Sequence, residues 1–203
     1  MSQAKPSACT PPSSCCRKFI DFMARRGNNL AGLGWTASTL VQLIWGAATL
    51  SPRESAAGAV NLCGSLSHFF GARLQISGIQ NFGTKLGCTF GIVGIFLTTW
   101  PSLLNGEIGA YIGDALFITT QSMGILSDVL TKKYAQSPHW FARNVLGQPR
   151  LSSGILQAFG GRGLMLIENI VHGRWIMAIV FAGWAISDLA FSMSKPAPKK
   201  DTA

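Results

Sequence analysis

An arginine set among glycines is the residue in this chain whose type and setting most invite chemistry. Phe159, Gly160, Gly161, Arg162 and Gly163 interrupt an otherwise apolar stretch. Five more ionisable groups lie inside or at the edge of apolar runs: His68, Asp114, Asp128, Glu168 and Asp188. At the centre of a bilayer each such group costs about 2.5 to 3.5 kcal/mol, so each demands a partner or a water-filled cavity. A planar guanidinium suits bidentate recognition of an anion. Each glycine weakens a helix by up to about 1 kcal/mol relative to Ala. A helix broken at Arg162 would bring free backbone amides and carbonyls beside the charge, as in many transporter sites. The competing reading is a close-packed helix whose Arg162 pairs with Asp188 or Asp114.

Position along the chain sorts these groups. A rise of 1.5 Å per residue sets Arg162 about 16 Å, Asp188 about 7 Å and Asp128 about 3 Å above the inner boundary of the spans defined below. Asp128 is therefore expected to pair with Lys132 at the interface, and Glu168 with His172 at the outer edge. Leu66-Ser67-His68, Leu126-Ser127-Asp128 and Ile186-Ser187-Asp188 recur at a spacing of sixty, a match of three residues per copy that chance explains as well as ancestry does. The substrate-binding set expected from these patterns is Arg162, Asp188, His68, Ser67, Ser187, Asp114 and Glu168. In it Arg162 faces a polar cavity that reaches an inner ring of Ser67, His68, Ser187 and Asp188.

The elements that must hold these groups follow from composition. Only 12% of the 203 residues are charged, where a soluble domain carries roughly 25%, and mean hydropathy is +0.30. A bilayer core about 30 Å thick needs about 20 mostly apolar residues per helix. Six segments approach this: residues 30–50, 56–74, 86–104, 108–130, 151–172 and 175–193. The second and fifth are too polar to pass on hydropathy alone, and charge bookkeeping decides them, because Lys and Arg gather in cytoplasmic loops. With six spans the inner side holds Lys5, Arg17, Lys18, Arg25, Arg26, Arg73, Lys85, Lys132, Lys133, Arg143, Arg150, Lys195, Lys199 and Lys200. The outer loops hold only Arg53 and Arg174. Dropping either polar span would put a basic loop or the basic tail on the wrong side. The expected fold is thus an all-α polytopic integral membrane protein, three antiparallel hairpins with both termini inside.

The net charge of +9 needs no nucleic acid. It follows from topology and from attraction to anionic lipid headgroups, worth about 1 kcal/mol per basic residue near the surface. Residues 1–14 read as a disordered cytosolic tail, 15–28 as a basic amphipathic interfacial segment, 29–194 as the membrane domain and 195–203 as a basic tail. An organelle-targeting start is the alternative for the first residues. Cys15 and Cys16 read as reduced thiols, with S-acylation the alternative in a eukaryotic source. Cys63 and Cys88 read as small packing residues. Ser137-Pro138 reads as the start of a short interfacial helix.

Without a hydrophobic drive between helices in lipid, small residues set their approach. Gly87 with Gly91, and Gly109 with Gly113, are the helix-packing pairs expected, against each other or against a second subunit. Nucleophile elbows, zinc-protease pairs and dinucleotide fingerprints are missing from the sequence, and no cofactor or metal set is read. The leading function is a carrier or channel for a small polar or anionic solute. The rival is a non-catalytic membrane subunit that assembles with a homo-oligomer or a larger complex. An intramembrane enzyme ranks third, because no nucleophile and base pair is present. The expected location is the bacterial inner (cytoplasmic) membrane, with the mitochondrial inner membrane or another organelle membrane as the alternative.

Overall fold

A computed structural model describes residues 14–70 and 82–194. Among these the chain is all helical: α1 (Ser14–Ala48), α2 (Pro52–Phe69), α3 (Phe82–Leu104), α4 (Ile108–Ile125), α5 (Ser127–Tyr134), α6 (Pro149–Ile155), α7 (Arg162–Val171) and α8 (Trp175–Met193). Two π-helical turns join them, Ala142–Leu146 before α6 and Leu156–Gly161 between α6 and α7. Of these helices, α3 and α8 are long and apolar enough to cross a membrane.

Short turns fold the helices back on themselves. After α1, Leu50 takes a left-handed φ of 51° and Ser51 caps α2, its hydroxyl accepting from the Glu54 amide at 3.3 Å with Pro52 at the first helical position. That arrangement satisfies one of the free amides at a helix start. Gly106 (φ 71°) and Gly173 (φ 68°) make the equivalent turns between α3 and α4 and between α7 and α8, a conformation glycine adopts without steric cost.

Each long helix packs on its neighbours in sequence, and α8 closes back onto α1. The result is a ring in which α1, α2, α3, α4, the α6–α7 rod and α8 alternate in direction. Its pairings are visible where glycines meet their neighbours: Gly64 lies against Gly87 and Phe90, Gly34 against Ser187, and Gly183 against Ser38. Call the end carrying the start of α1 and the finish of α8 the near end, and the end with the three turns the far end.

Several boundaries differ from those expected. The basic segment 15–28 is not separate from the first span: α1 runs through both, with Met23 buried and Gly27 against the Ala190 carbonyl of α8. A continuous amphipathic helix can bury one stripe throughout, and Phe19, Ile20 and Phe22 stay exposed beside the basic residues. The segment 108–130 breaks at Leu126, so Asp128 sits in the first turn of α5. After Ser137-Pro138 the helical turn begins only at Trp140 and continues as a π-turn; Ser137 instead accepts from the His139 amide. The expected disordered tail over residues 1–13, the end of the second span at 71–74 and the basic tail at 195–203 lie outside the described residues.

Candidate functional site

Arg162 opens α7, immediately after the Leu156–Gly161 π-turn. The glycines around it do not break the rod; they admit α4. A Cβ on Gly161 would stand 3.2 Å from the Gly113 carbonyl oxygen, and one on Gly160 would stand 2.9 Å from Leu116. The irregularity begins one turn before the glycines, takes in Gly160 and Gly161, and has the form of a wider helical turn. Such turns occur frequently at functional sites.

This close approach buries the Arg162 side chain in the ring, 6% exposed. Its guanidinium lies over two aromatic rings, 4.0 Å from the Phe117 ring centre and 4.3 Å from that of Trp184. Stacking of this kind favours Arg over Lys, whose ammonium has no flat face. Arg162 Nε lies 3.7 Å from Asp188 Oδ2, close enough for charge attraction but too long for a hydrogen bond. Arg162 Nε, Arg162 Nη1 and Asp188 Oδ2 have no hydrogen-bond partner among the described residues. Asp188 Oδ1 accepts from the Trp35 indole N–H at 2.9 Å. On α4, Asp114 is 3% exposed; its Oδ2 lies 2.5 Å from the Thr99 hydroxyl, and its Oδ1 has no partner among the described residues.

A second polar group fills the ring between α1, α2 and α3. Gln42 donates to Thr98 at 2.9 Å, Asn61 donates to Gln42 at 3.0 Å, and Thr98 donates to the Gly94 carbonyl. Each hydrogen is used once and each hydroxyl lone pair finds a donor, so this cluster is satisfied and reads as structural.

Each end of the ring is clasped. At the far end Arg174 reaches Glu107 at 2.5 Å and Ser102 at 2.7 Å, while Glu168 accepts from the Gly109 amide at 3.2 Å. The acceptor and ligand atoms of Glu107, Glu168 and His172 lie within 4.8 Å of one another. Arg174 and the Gly109 amide already engage the two carboxylates, so the trio serves as a clasp. Burial would raise the Glu107 carboxyl, but hydrogen bonds from Arg174 and Ser102, with the charges of Arg174 and His172, hold it below its ordinary value. At the near end Arg150 donates to Ser194 and to Asn28, and lies 3.9 Å over the Phe191 ring.

The expected set is therefore only partly gathered. Arg162, Asp188 and Asp114 form one cluster. His68 joins it indirectly, its ring 5.0 Å from Trp35 and 4.0 Å from the Cys88 sulfur. Ser67 and Ser187 do not reach Arg162: their hydroxyls donate to the Cys63 and Gly183 carbonyls of their own helices. Glu168 belongs to the far-end clasp, and Asp128 pairs with Lys85 at 3.3 Å. The packing glycines meet inside the chain, Gly87 on the His68 ring, Gly91 on Gln121 and Phe117, Gly109 on Glu168 and Gly113 on Met165. No protein-family model matches the chain, and no curated protein or solved structure matches it.

Trp35, Thr99, Phe117 and Trp184 were not singled out in the sequence. All four sit in apolar runs, where an aromatic or a Thr normally signals packing. For Trp184 the usable signal was spacing, since it lies four residues before Asp188; Trp35 carries no such signal.

Proposed function

We propose that the chain crosses a membrane six times, both termini on the cytoplasmic side, and carries a small polar solute through the ring past Arg162. The reading is supported first by the inverted polarity of the ring. Ile44, Val93, Phe96, Ile112, Ile179 and Ile186 are exposed on its outside, while the ionisable Arg162, Asp114 and Asp188 are buried. In water the opposite arrangement is the rule, and a contiguous apolar exterior marks an interaction surface. Orientation follows from charge. Among the described residues the near end holds Arg17, Lys18, Arg25, Arg26, Lys85, Lys132, Lys133, Arg143 and Arg150, and the far end only Arg53 and Arg174.

The observation that carries the solute reading is the set of unused polar atoms around Arg162. A buried donor or acceptor without a partner costs about 1 to 3 kcal/mol. Two donors on Arg162 and one acceptor on each of two carboxylates are left in this condition in one place. A site offering both donors and acceptors fits a solute with both, such as a polyol, an amide or a zwitterion. Two acids beside one guanidinium leave the cluster without net positive charge, which disfavours a strongly anionic solute. The clasps at the two ends correspond to an occluded state between openings.

Flux in proteoliposomes tests this. Purified protein should speed entry of one class among polyols, amides, amino acids and small weak acids over empty vesicles. Arg162→Lys should abolish that flux while the protein stays monodisperse. A protein that moves none of them, and that purifies from native membranes only within a larger complex, would instead support the assembly role.

A further inference from the structure

We propose that Asp114 is a proton-binding site, carrying its proton on Oδ2 in the occluded arrangement and donating it to the Thr99 hydroxyl. The case rests on counting hydrogens. Thr99 Oγ1 has one hydrogen and two oxygen neighbours: the Ile95 carbonyl at 2.9 Å and Asp114 Oδ2 at 2.5 Å. A hydroxyl donates once. With Asp114 ionised, one contact has no hydrogen, or Thr99 gives its hydrogen to the acid and forfeits the bond to Ile95. In either case the full negative charge spreads onto Asp114 Oδ1, which is buried and has no donor. With Asp114 protonated, Oδ2–H donates to Thr99, Thr99 donates to Ile95, and Oδ1 is an uncharged carbonyl oxygen. A buried neutral oxygen without a partner costs far less than a buried bare charge.

Charge neutrality leads to the same assignment. The cluster holds one guanidinium and two carboxylic groups, and Arg162 makes its close contact with Asp188. One proton on Asp114 makes the cluster neutral. The other ionisable groups on elements packed against α4 lie away from Thr99. On α3 these are Cys88, against Gly124, and Lys85, held by Asp128 of α5. On α7 Glu168 is against Gly109, and on α6 Arg150 is bound in the near-end clasp. Lys132 and Lys133 are in the last turn of α5. On release the Asp114 O–H bond breaks, its electron pair stays on Oδ2, and the proton passes to water. The guanidinium then has two anionic partners in place of one, which loosens its hold on Asp188. Use of this exchange to drive a solute rests on the carrier reading above; the proton site does not.

Infrared difference spectroscopy of the full-length protein in lipid, in H₂O and D₂O, reads the proton directly. At neutral pH a carboxylic-acid C=O band should be present, be lost in Asp114→Asn, move to higher frequency in Thr99→Val, and persist in Asp188→Asn. Because Asn is a neutral isostere of the protonated acid, Asp114→Asn should remain folded. No acid band at neutral pH, or a band that survives Asp114→Asn, would overturn the proposal even if the vesicles transport solute. An Asp114 band in a protein whose solute flux moves no protons, or that has no flux at all, would uphold the proton site and defeat its coupling to transport.

Discussion

Trp35 of α1 and Asp188 of α8, 153 residues apart, are joined by a 2.9 Å indole-to-carboxylate hydrogen bond, and this contact locks the seam that closes the ring. It also fixes which oxygen of Asp188 remains for Arg162. A hydrogen bond to a charged group contributes roughly 1.5 to 3 kcal/mol. Breaking a buried ion pair by removing one partner costs about 3 to 5 kcal/mol, because it strands the other charge. Asp188→Asn and Arg162→Gln should each destabilise the protein by at least about 2 kcal/mol, the double variant by clearly less than their sum. Unfolding in mixed micelles checks this through a double-mutant cycle, and additive losses would mean that the two residues do not act as a pair.

Asp114 should behave differently from Asp188, since the neutral acid and its amide are alike in shape and charge. Asp114→Asn is expected to change stability by less than about 1 kcal/mol at neutral pH, measured by the same unfolding assay. A loss as large as that of Asp188→Asn would show that the charge, not the proton, belongs in the folded state.

Gly94 is required by the satisfied polar cluster, because a Cβ there would collide with the Asn61 side-chain oxygen. Asn61 is held by Gln42 and has little freedom to move. Gly94→Ala should cost about 1 to 3 kcal/mol, as overpacking does. Gly106→Ala meets open space but a φ of 71°, and should lose about 1 to 2 kcal/mol from backbone strain alone. Adding Asn61→Ala should relieve part of the first loss and none of the second, as read by thermal unfolding.

The far-end clasp should weaken in acid. Glu107 titrates below its ordinary value of 4.5 when folded, so its contribution is complete above that value, where the carboxylate is ionised in both states. As pH falls through 4.5 the unfolded chain binds the proton first, and the contribution disappears once pH passes the lower folded value. The stability gap between wild type and Arg174→Gln should therefore be constant near neutrality and shrink across this acid window. Melting temperatures recorded against pH check it, and a gap unchanged into acid would exclude the Arg174–Glu107 bond as its source.

How much of this was legible in the sequence depends on what each residue reports. The all-helical class followed from the scarcity of charge, from apolar stretches of about 20 residues and from the basic residues gathered between them. Arg162 and its acids stood out because charge in an apolar run is costly wherever it lands. Of the two readings of the glycines at 160 to 163, a break or a close approach, the packing shows the close approach: propensity measures an isolated helix, whereas here α4 packs into the space the missing side chains leave. Ser67 and Ser187 were placed with Arg162 by a shared spacing, but a hydroxyl in a helix can bond its own carbonyl four residues back, and both do. The contact of Phe117 and Trp184 with Arg162 was invisible, because only the ring closure brings α4 and α8 to one guanidinium.

Water access to the Arg162 cluster from each side in turn is the most direct test of a solute path through the ring. In a background with the five native cysteines replaced by Ala or Ser, Thr99→Cys places a single thiol against Asp114 without adding charge, and a membrane-impermeant maleimide can be offered to sealed vesicles from either face. Labelling should occur from both faces and slow when transported solute saturates the site. A folded, monodisperse Thr99→Cys protein that never labels from either face would contradict a path and leave a sealed, structural core.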